Sequence, residues 1–167
     1  MKRPSGTKFL TPPEITFFTD RDLGKAFPRI LRDSGLLVVR YGDHFGERNA
    51  PDEEWISFAA SHQLVALSHD RNIRSDPIAI RAVMENHARL FIVRGKHLTG
   101  AEKADLVLGA LGQIYRHLEE QPAAFIAVVR RTSLAGGILK PDVKVRLNFA
   151  EWKQGRQPTP EPEELPL

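Results

Sequence analysis

Three short runs hold residues able to carry metal-assisted chemistry: Thr19-Asp20-Arg21-Asp22, Asp52-Glu53-Glu54 and Ser68-His69-Asp70-Arg71. Carboxylates brought together repel, and each raises the pKa of its neighbours. A divalent cation removes that cost. Mg²⁺ and Mn²⁺ favour oxygen donors, commonly carboxylates completed by water and substrate phosphate. Such a cation lowers the pKa of water and stabilises charge on a phosphoryl oxygen. An acidic site flanked by Arg21, Arg71 and Arg74 therefore suits phosphodiester hydrolysis, with guanidinium groups holding phosphate. Cysteine is absent, which excludes a disulfide framework, a thiolate zinc site and a thiol nucleophile.

Each of these residues also has a purely structural reading. Asp20 or Asp22 suits the N-cap of a following helix. Asp52, Glu53 and Glu54 suit a first helical turn, where the helix dipole favours acids. Asp70 suits a turn cap, and Asp76, directly before Pro77, suits a helix cap. His69 either orients a phosphate or water, or is structural. The readings separate on one point: whether the acids meet at one edge of a sheet.

The elements between them predict that they do. Ile15–Thr19, Leu36–Arg40, Leu64–Ser68, Leu90–Arg94 and Ala124–Val129 read as short buried strands. Between them, helical spacing runs over 22–34, 52–60 and 77–88, and over a fourth helix opened by the capping box Thr99…Glu102 and carried to Leu118. Pro28 should kink or restart the first helix, and Gly35 should end it. A polar loop is expected after the second strand. Alternation over Val143–Phe149 suggests an added edge strand or hairpin arm. This β-α repeat predicts an α/β fold: a mainly parallel sheet of about five strands with helices on both faces. Ligands in such sheets gather beyond the carboxyl ends of the strands, where all three acidic runs fall.

The chain of 167 residues suits one domain. Its formal net charge is +3, which excludes both a supercharged basic tail and an acidic disordered chain. That total conceals an asymmetry. Residues 20–76 carry ten acidic and eight basic side chains, whereas residues 77–155 carry seven acidic and twelve basic. Residues 1–13 read as a flexible arm, 14–150 as the folded domain and 151–167 as a flexible Pro/Glu-rich tail. No secretory signal and no apolar run long enough to span a bilayer are visible, so a cytoplasmic protein with no membrane partner is expected.

Taken in order, Phe17-Phe18-Thr19-Asp20-Arg21-Asp22-Leu23-Gly24, Asp43-His44-Phe45, Pro51-Asp52-Glu53-Glu54-Trp55, Leu67-Ser68-His69-Asp70 and Ile73-Arg74 resemble the PIN-like domain of VapC-type toxin ribonucleases. The resemblance covers about Ile15 to Leu118. It implies a three-layer α/β/α, Rossmann-like PIN fold and an endoribonuclease dependent on Mg²⁺ or Mn²⁺. The implied reaction attacks RNA phosphodiesters with a metal-activated water and leaves 5′-phosphate and 3′-hydroxyl ends. Carried over residue by residue, Asp20, Asp52 or its neighbour Glu53, and Asp70 are the catalytic acids, with Asp20, Asp52 and Asp70 holding metal. Asp22 or Asp76 stands where a fourth acid would serve. Arg21, His69, Arg71 and Arg74 are expected to contact substrate. A toxin of a type II toxin–antitoxin system further implies an antitoxin protein, and the family resemblance a homodimer.

Three rivals compete. Phe17–Asp22 also looks like the DxD motif of HAD-like phosphatases, with Asp20 as nucleophile and Asp22 as acid/base. That family wants a late acidic pair, and Arg94-Gly95-Lys96 follows the fourth strand instead. A phospho-acceptor receiver would use Asp70 and a Lys-Pro after the last strand, for which Lys140-Pro141 is the candidate. A non-catalytic PIN-like RNA- or protein-binding module would keep the acids as caps.

Overall fold

A computed structural model describes residues 15–158. Six strands form one sheet: β1 (Thr16–Thr19), β2 (Leu37–Arg40), β3 (Val65–Ser68), β4 (Arg89–Val93), β5 (Phe125–Ser133) and β6 (Leu139–Asn148). Their order is β2-β1-β3-β4-β5-β6. The first five run parallel, and β6 returns antiparallel along β5. The expected sheet of about five strands is thus present, and the alternating segment forms a sixth that begins earlier, at Leu139.

Period-two alternation divides the strand residues between two apolar layers. Phe17, Leu67, Phe91, Phe125 and Val129 face α1 (Ala26–Asp33), α5 (Gly100–Gly109) and α6 (Leu111–Glu120). Phe18, Ala66, Ile92, Ile126 and Val128 face α2 (Tyr41–Phe45), α3 (Asp52–Ser61) and α4 (Pro77–Glu85). Strands buried on both faces are what parallel β-α crossovers require. The result is the expected three-layer α/β/α arrangement.

Several elements differ from their sequence-based outlines. The segment 22–34 is two pieces, a 3-10 turn over Arg21–Leu23 and then α1, separated by Gly24 at φ 74°. Pro28 lies in the first turn of α1, where no intrahelical N–H partner is lost, so it neither kinks nor breaks the helix. Gly35 does take the left-handed conformation after α1, at φ 93°. The expected polar loop after β2 contains α2, held at its start by Asp43, which accepts from the Arg40 backbone N–H and side chain. The long helix from Thr99 divides at Ala110, just after Gly109, a weak helix former. Its capping box is present as expected: Glu102 N–H donates to Thr99 Oγ1 and Thr99 N–H to Glu102 Oε1, both at 3.1 Å.

The arm expected over residues 1–13 lies outside the described residues, as does the end of the expected tail. The start of that tail is helical: α7 runs Phe149–Lys153 across the 150/151 boundary. A capping box between Asn148 and Glu151 opens it, and Trp152 packs against the α3/α4 layer.

Candidate functional site

The chain leaves β1 toward β2 on one side and returns to β3 on the other. The carboxyl ends of β1 and β3 therefore flank a topological switch point, where open α/β sheets form a crevice. Thr19 is level with Leu67 in the parallel ladder, and Asp20 N–H continues it by donating to Leu67 O at 3.0 Å. This places Asp20 beside Ser68 on the face that also carries Phe18 and Ala66.

Ser68 is the hub of the cluster. Its buried hydroxyl lies 3.0 Å from Asp20 Oδ2 and 3.3 Å from Asp22 Oδ2, and its one proton serves both carboxylates in turn. Ser68 Oγ in turn accepts from Asp70 N–H at 3.1 Å. Asp22 Oδ1 accepts from His69 N–H at 3.2 Å. Asp20 Oδ1 accepts from Arg21 N–H at 2.8 Å, and Asp70 Oδ1 from Asn72 N–H at 2.9 Å. Asp20 and Asp70 thus cap their own short turns, yet both cap positions lie at this crevice.

The opposite wall comes from helix starts. Asp52 opens α3, and Trp55 Nε1 donates to its Oδ1 at 3.0 Å. Trp55 is buried and stacks on Phe18 at 5.6 Å between centroids, so the core fixes the orientation of Asp52. Asp76 caps α4 by accepting from Ile78 N–H at 3.0 Å.

The electrostatics show that these acids share one field. Asp20 is pushed up to about 7, first by burial and then by the Asp22 charge, with Asp52 adding to it. Asp22 keeps an edge in solvent, but the atoms crowded around its carboxyl raise its pKa, and Asp70 pushes it the same way. Asp52 is raised by partial burial and by Asp70, Asp76 and Glu53. Asp20, Asp22, Asp52, Asp70 and Asp76 therefore converge. Glu53 is exposed on α3 and adds its charge to Asp52 from there.

The donor chemistry fits a hard divalent cation: every side chain in the cluster offers oxygen, and a cation relieves the repulsion that lifts Asp20. Among the described residues, no three Asp, Glu or His side chains stand in metal-holding geometry. Mg²⁺ commonly takes one or two carboxylates and keeps several waters, so the cluster matches a partly hydrated ion better than a closed protein cage.

The four expected substrate contacts divide. Arg21 hydrogen-bonds the Asn49 side chain and lies 5.2 Å over the Tyr41 ring, on the β2 side of the cluster. His69 places Nδ1 2.9 Å from Val93 O, which ties it to the end of β4. Arg71 is exposed beside Asp70, and Arg74 is half-buried in the same turn. Ser68 is the residue that pattern reading passed over. Its signal was a polar side chain closing an otherwise apolar strand, Val65-Ala66-Leu67-Ser68. Lys140-Pro141, the receiver-like dipeptide, lies within β6 and not at the carboxyl end of β5, so that rival loses its lysine.

An acidic crevice at the switch point of a three-layer α/β/α sheet defines the class of domain. A family model described as a PIN like domain matches residues 15–95, which include all five converging acids. Among curated proteins, "Putative ribonuclease VapC45" from Mycobacterium tuberculosis is 31% identical over 121 residues, covering 70% of this chain and 87% of that protein. No solved structure matches the chain significantly. The chain belongs to the PIN-like domain family, VapC type.

Proposed function

We propose that this protein is a divalent-cation-dependent endoribonuclease, the toxin of a type II toxin–antitoxin pair, which hydrolyses phosphodiester bonds in RNA. The observation that carries this reading is the buried Asp20 joined to Asp22 through Ser68 at the switch point, where burial and then the Asp22 charge push its pKa up. Such a group costs stability unless it serves a charge that arrives later. The ribonuclease named above supports the substrate class.

In this reading Asp20 and Asp70 would hold Mg²⁺ or Mn²⁺, with Asp22 as the fourth acid. Asp52 would complete the set and takes precedence over Glu53, because Trp55 fixes its carboxyl where the Asp70 and Asp76 charges act on it. The bound cation supplies positive charge to the scissile phosphate and lowers the pKa of water. Ser68 shares its proton between Asp20 and Asp22 and so holds both oxygens in place. Arg71 and Arg74 bind phosphate beside Asp70, while Arg21 and His69 shape the two rims. A cognate antitoxin and a second copy of the chain are the protein partners that family membership suggests, in the cytoplasm. No helix among the described residues is long and apolar enough to cross a membrane.

The test is incubation of purified protein with total RNA and Mg²⁺ or Mn²⁺. Wild type is expected to cleave, and Asp20→Asn and Asp70→Asn to lose about 100-fold or more. Metal-dependent cleavage at the wild-type rate in both variants would overturn the assignment.

A further inference from the structure

The hairpin of β5 and β6 extends past the rest of the sheet. β5 pairs with β4 only as far as Val129. It then continues four more residues, through Ser133, paired with β6 alone. At roughly 3.3 Å per residue this overhang is about 13 Å long. Because β5 is parallel to β1, β3 and β4, it projects from the same edge that carries Asp20, Ser68 and Asp70. Three strand spacings separate β5 from β1, or about 14 Å.

Composition changes where the overhang begins. Phe125–Val129 is wholly buried and apolar, and Arg130-Arg131-Thr132-Ser133 follows. Register places Arg130 across from Asp142, Thr132 across from Lys140 and Val128 across from Lys144. Val128 belongs to the α3/α4 layer, so alternation puts Arg130, Lys140, Asp142 and Lys144 on that same face, the face of Asp20 and Ser68. Asp142 steadies Arg130 at 3.6 Å, while Lys140 and Lys144 are exposed. On the other face, Arg131 lies within electrostatic reach of Glu102 in the first turn of α5. The whole hairpin lies beyond residue 95, where the PIN-like match ends.

We propose that the β5–β6 overhang, with its root, is a backbone-binding arm for single-stranded RNA, in which Lys140 and Arg130 on the overhang and Lys144 at its root grip phosphates that flank the scissile bond. This rests on the ribonuclease reading and extends it by assigning the substrate track. Charge complementarity selects the occupant: an extended polyanion leaving the crevice past β4 meets a row of cations one sheet-width away. The apolar tip, Leu134, Ile138 and Leu139, would suit a protein partner instead and is kept as an outcome of the test.

The experiment measures binding of a fluorescent single-stranded RNA to the full chain in EDTA, at several salt concentrations, by anisotropy. In EDTA no cleavage intervenes, so binding is read apart from activity. Lys140→Gln/Lys144→Gln should bind about tenfold more weakly at low salt. Its plot of log affinity against log salt should be shallower by about 1.4, the value for two lost single-strand phosphate contacts. Leu134→Ser/Ile138→Ser should match wild type. A thermal melt equal to wild type shows that the lysine variant is folded. An unchanged affinity and slope in the lysine variant, or a loss confined to the tip variant, would overturn the arm. If wild type cleaves RNA while the lysine variant binds unchanged, the arm fails alone. If wild type neither cleaves nor binds RNA, the ribonuclease reading fails and takes the arm with it.

Discussion

At the residue scale, the chemistry of the crevice depends on how one hydroxyl is shared. Ser68 donates to whichever of Asp20 or Asp22 is charged, and each bond favours the ionised form. Burial and mutual repulsion work the other way and win, which leaves Asp20 at about 7. Ser68→Ala removes the opposing influence while leaving the packing volume almost unchanged. Asp20 should then titrate higher than in wild type, and Mn²⁺ affinity at pH 7 should fall about tenfold, the usual cost of losing a supporting hydrogen bond at a metal site. Titration of Mn²⁺ binding from pH 6 to 8 reads this, and Ser68→Thr, which keeps the hydroxyl, should restore it. Affinity unchanged in Ser68→Ala would show that the hydroxyl is only a strand-end spacer. The acids were legible in the sequence because carboxylates after apolar strands are conspicuous. The task of Ser68 is less legible, since a serine carries no charge and only its burial and its two carboxylate contacts reveal it.

At the element scale, the site is built from ends: two strand termini, a 3-10 turn and the first turns of α3 and α4. An acid at such a position serves the helix and the crevice together, which is why structural and functional readings of one residue need not exclude each other. Asp76 shows how to separate them. It caps α4 through Ile78 N–H and also raises the pKa of Asp52 by its charge. Asp76→Ala should cost about 1 kcal/mol by losing the cap, lowering the melting temperature by about 2–4 °C. Asp76→Ser keeps a capping oxygen and removes the charge. It should melt like wild type while Asp52 titrates lower. Equal melting temperatures for both variants would deny the capping role. Element order was readable from the apolar runs and caps, but several outlines were not, α2 and the break at Ala110 among them. α2 depends on Asp43 bridging Arg40 and Arg32, contacts at 2.9 and 2.8 Å that no local propensity announces. The division at Ala110, next to Gly109, interrupts an otherwise continuous helical spacing of apolar residues.

At the scale of the whole molecule, a near-neutral chain stores like charges in one crevice and would be more stable without them. Between about pH 4 and pH 7 the folded chain keeps a proton at Asp20 that the unfolded chain, with an ordinary carboxyl, releases. Stability of the metal-free protein therefore declines as pH rises through that window, by up to about 1.4 kcal/mol per pH unit, and is level above it. Asp22 and Asp52, also raised, add to the decline. Asp43, lowered by Arg40 and Arg32, acts oppositely and only in the acid range. Asp20→Asn should flatten much of the slope and melt higher than wild type at pH 8, because the amide can accept from Arg21 N–H and donate to Ser68 Oγ without charge. A cation that binds only the folded crevice should reverse the ranking: at a hundred times its dissociation constant it stabilises by about 2.7 kcal/mol, a rise of roughly 5–10 °C for a chain of this size. Melting curves at pH 5 and pH 8, with and without Mn²⁺, test both halves. Wild type should gain from Mn²⁺ mainly at pH 8, where Asp20 is ionised, and Asp20→Asn should gain little at either pH. An equal gain in the variant would place the cation elsewhere than against Asp20, and with it the chemistry assigned to the crevice.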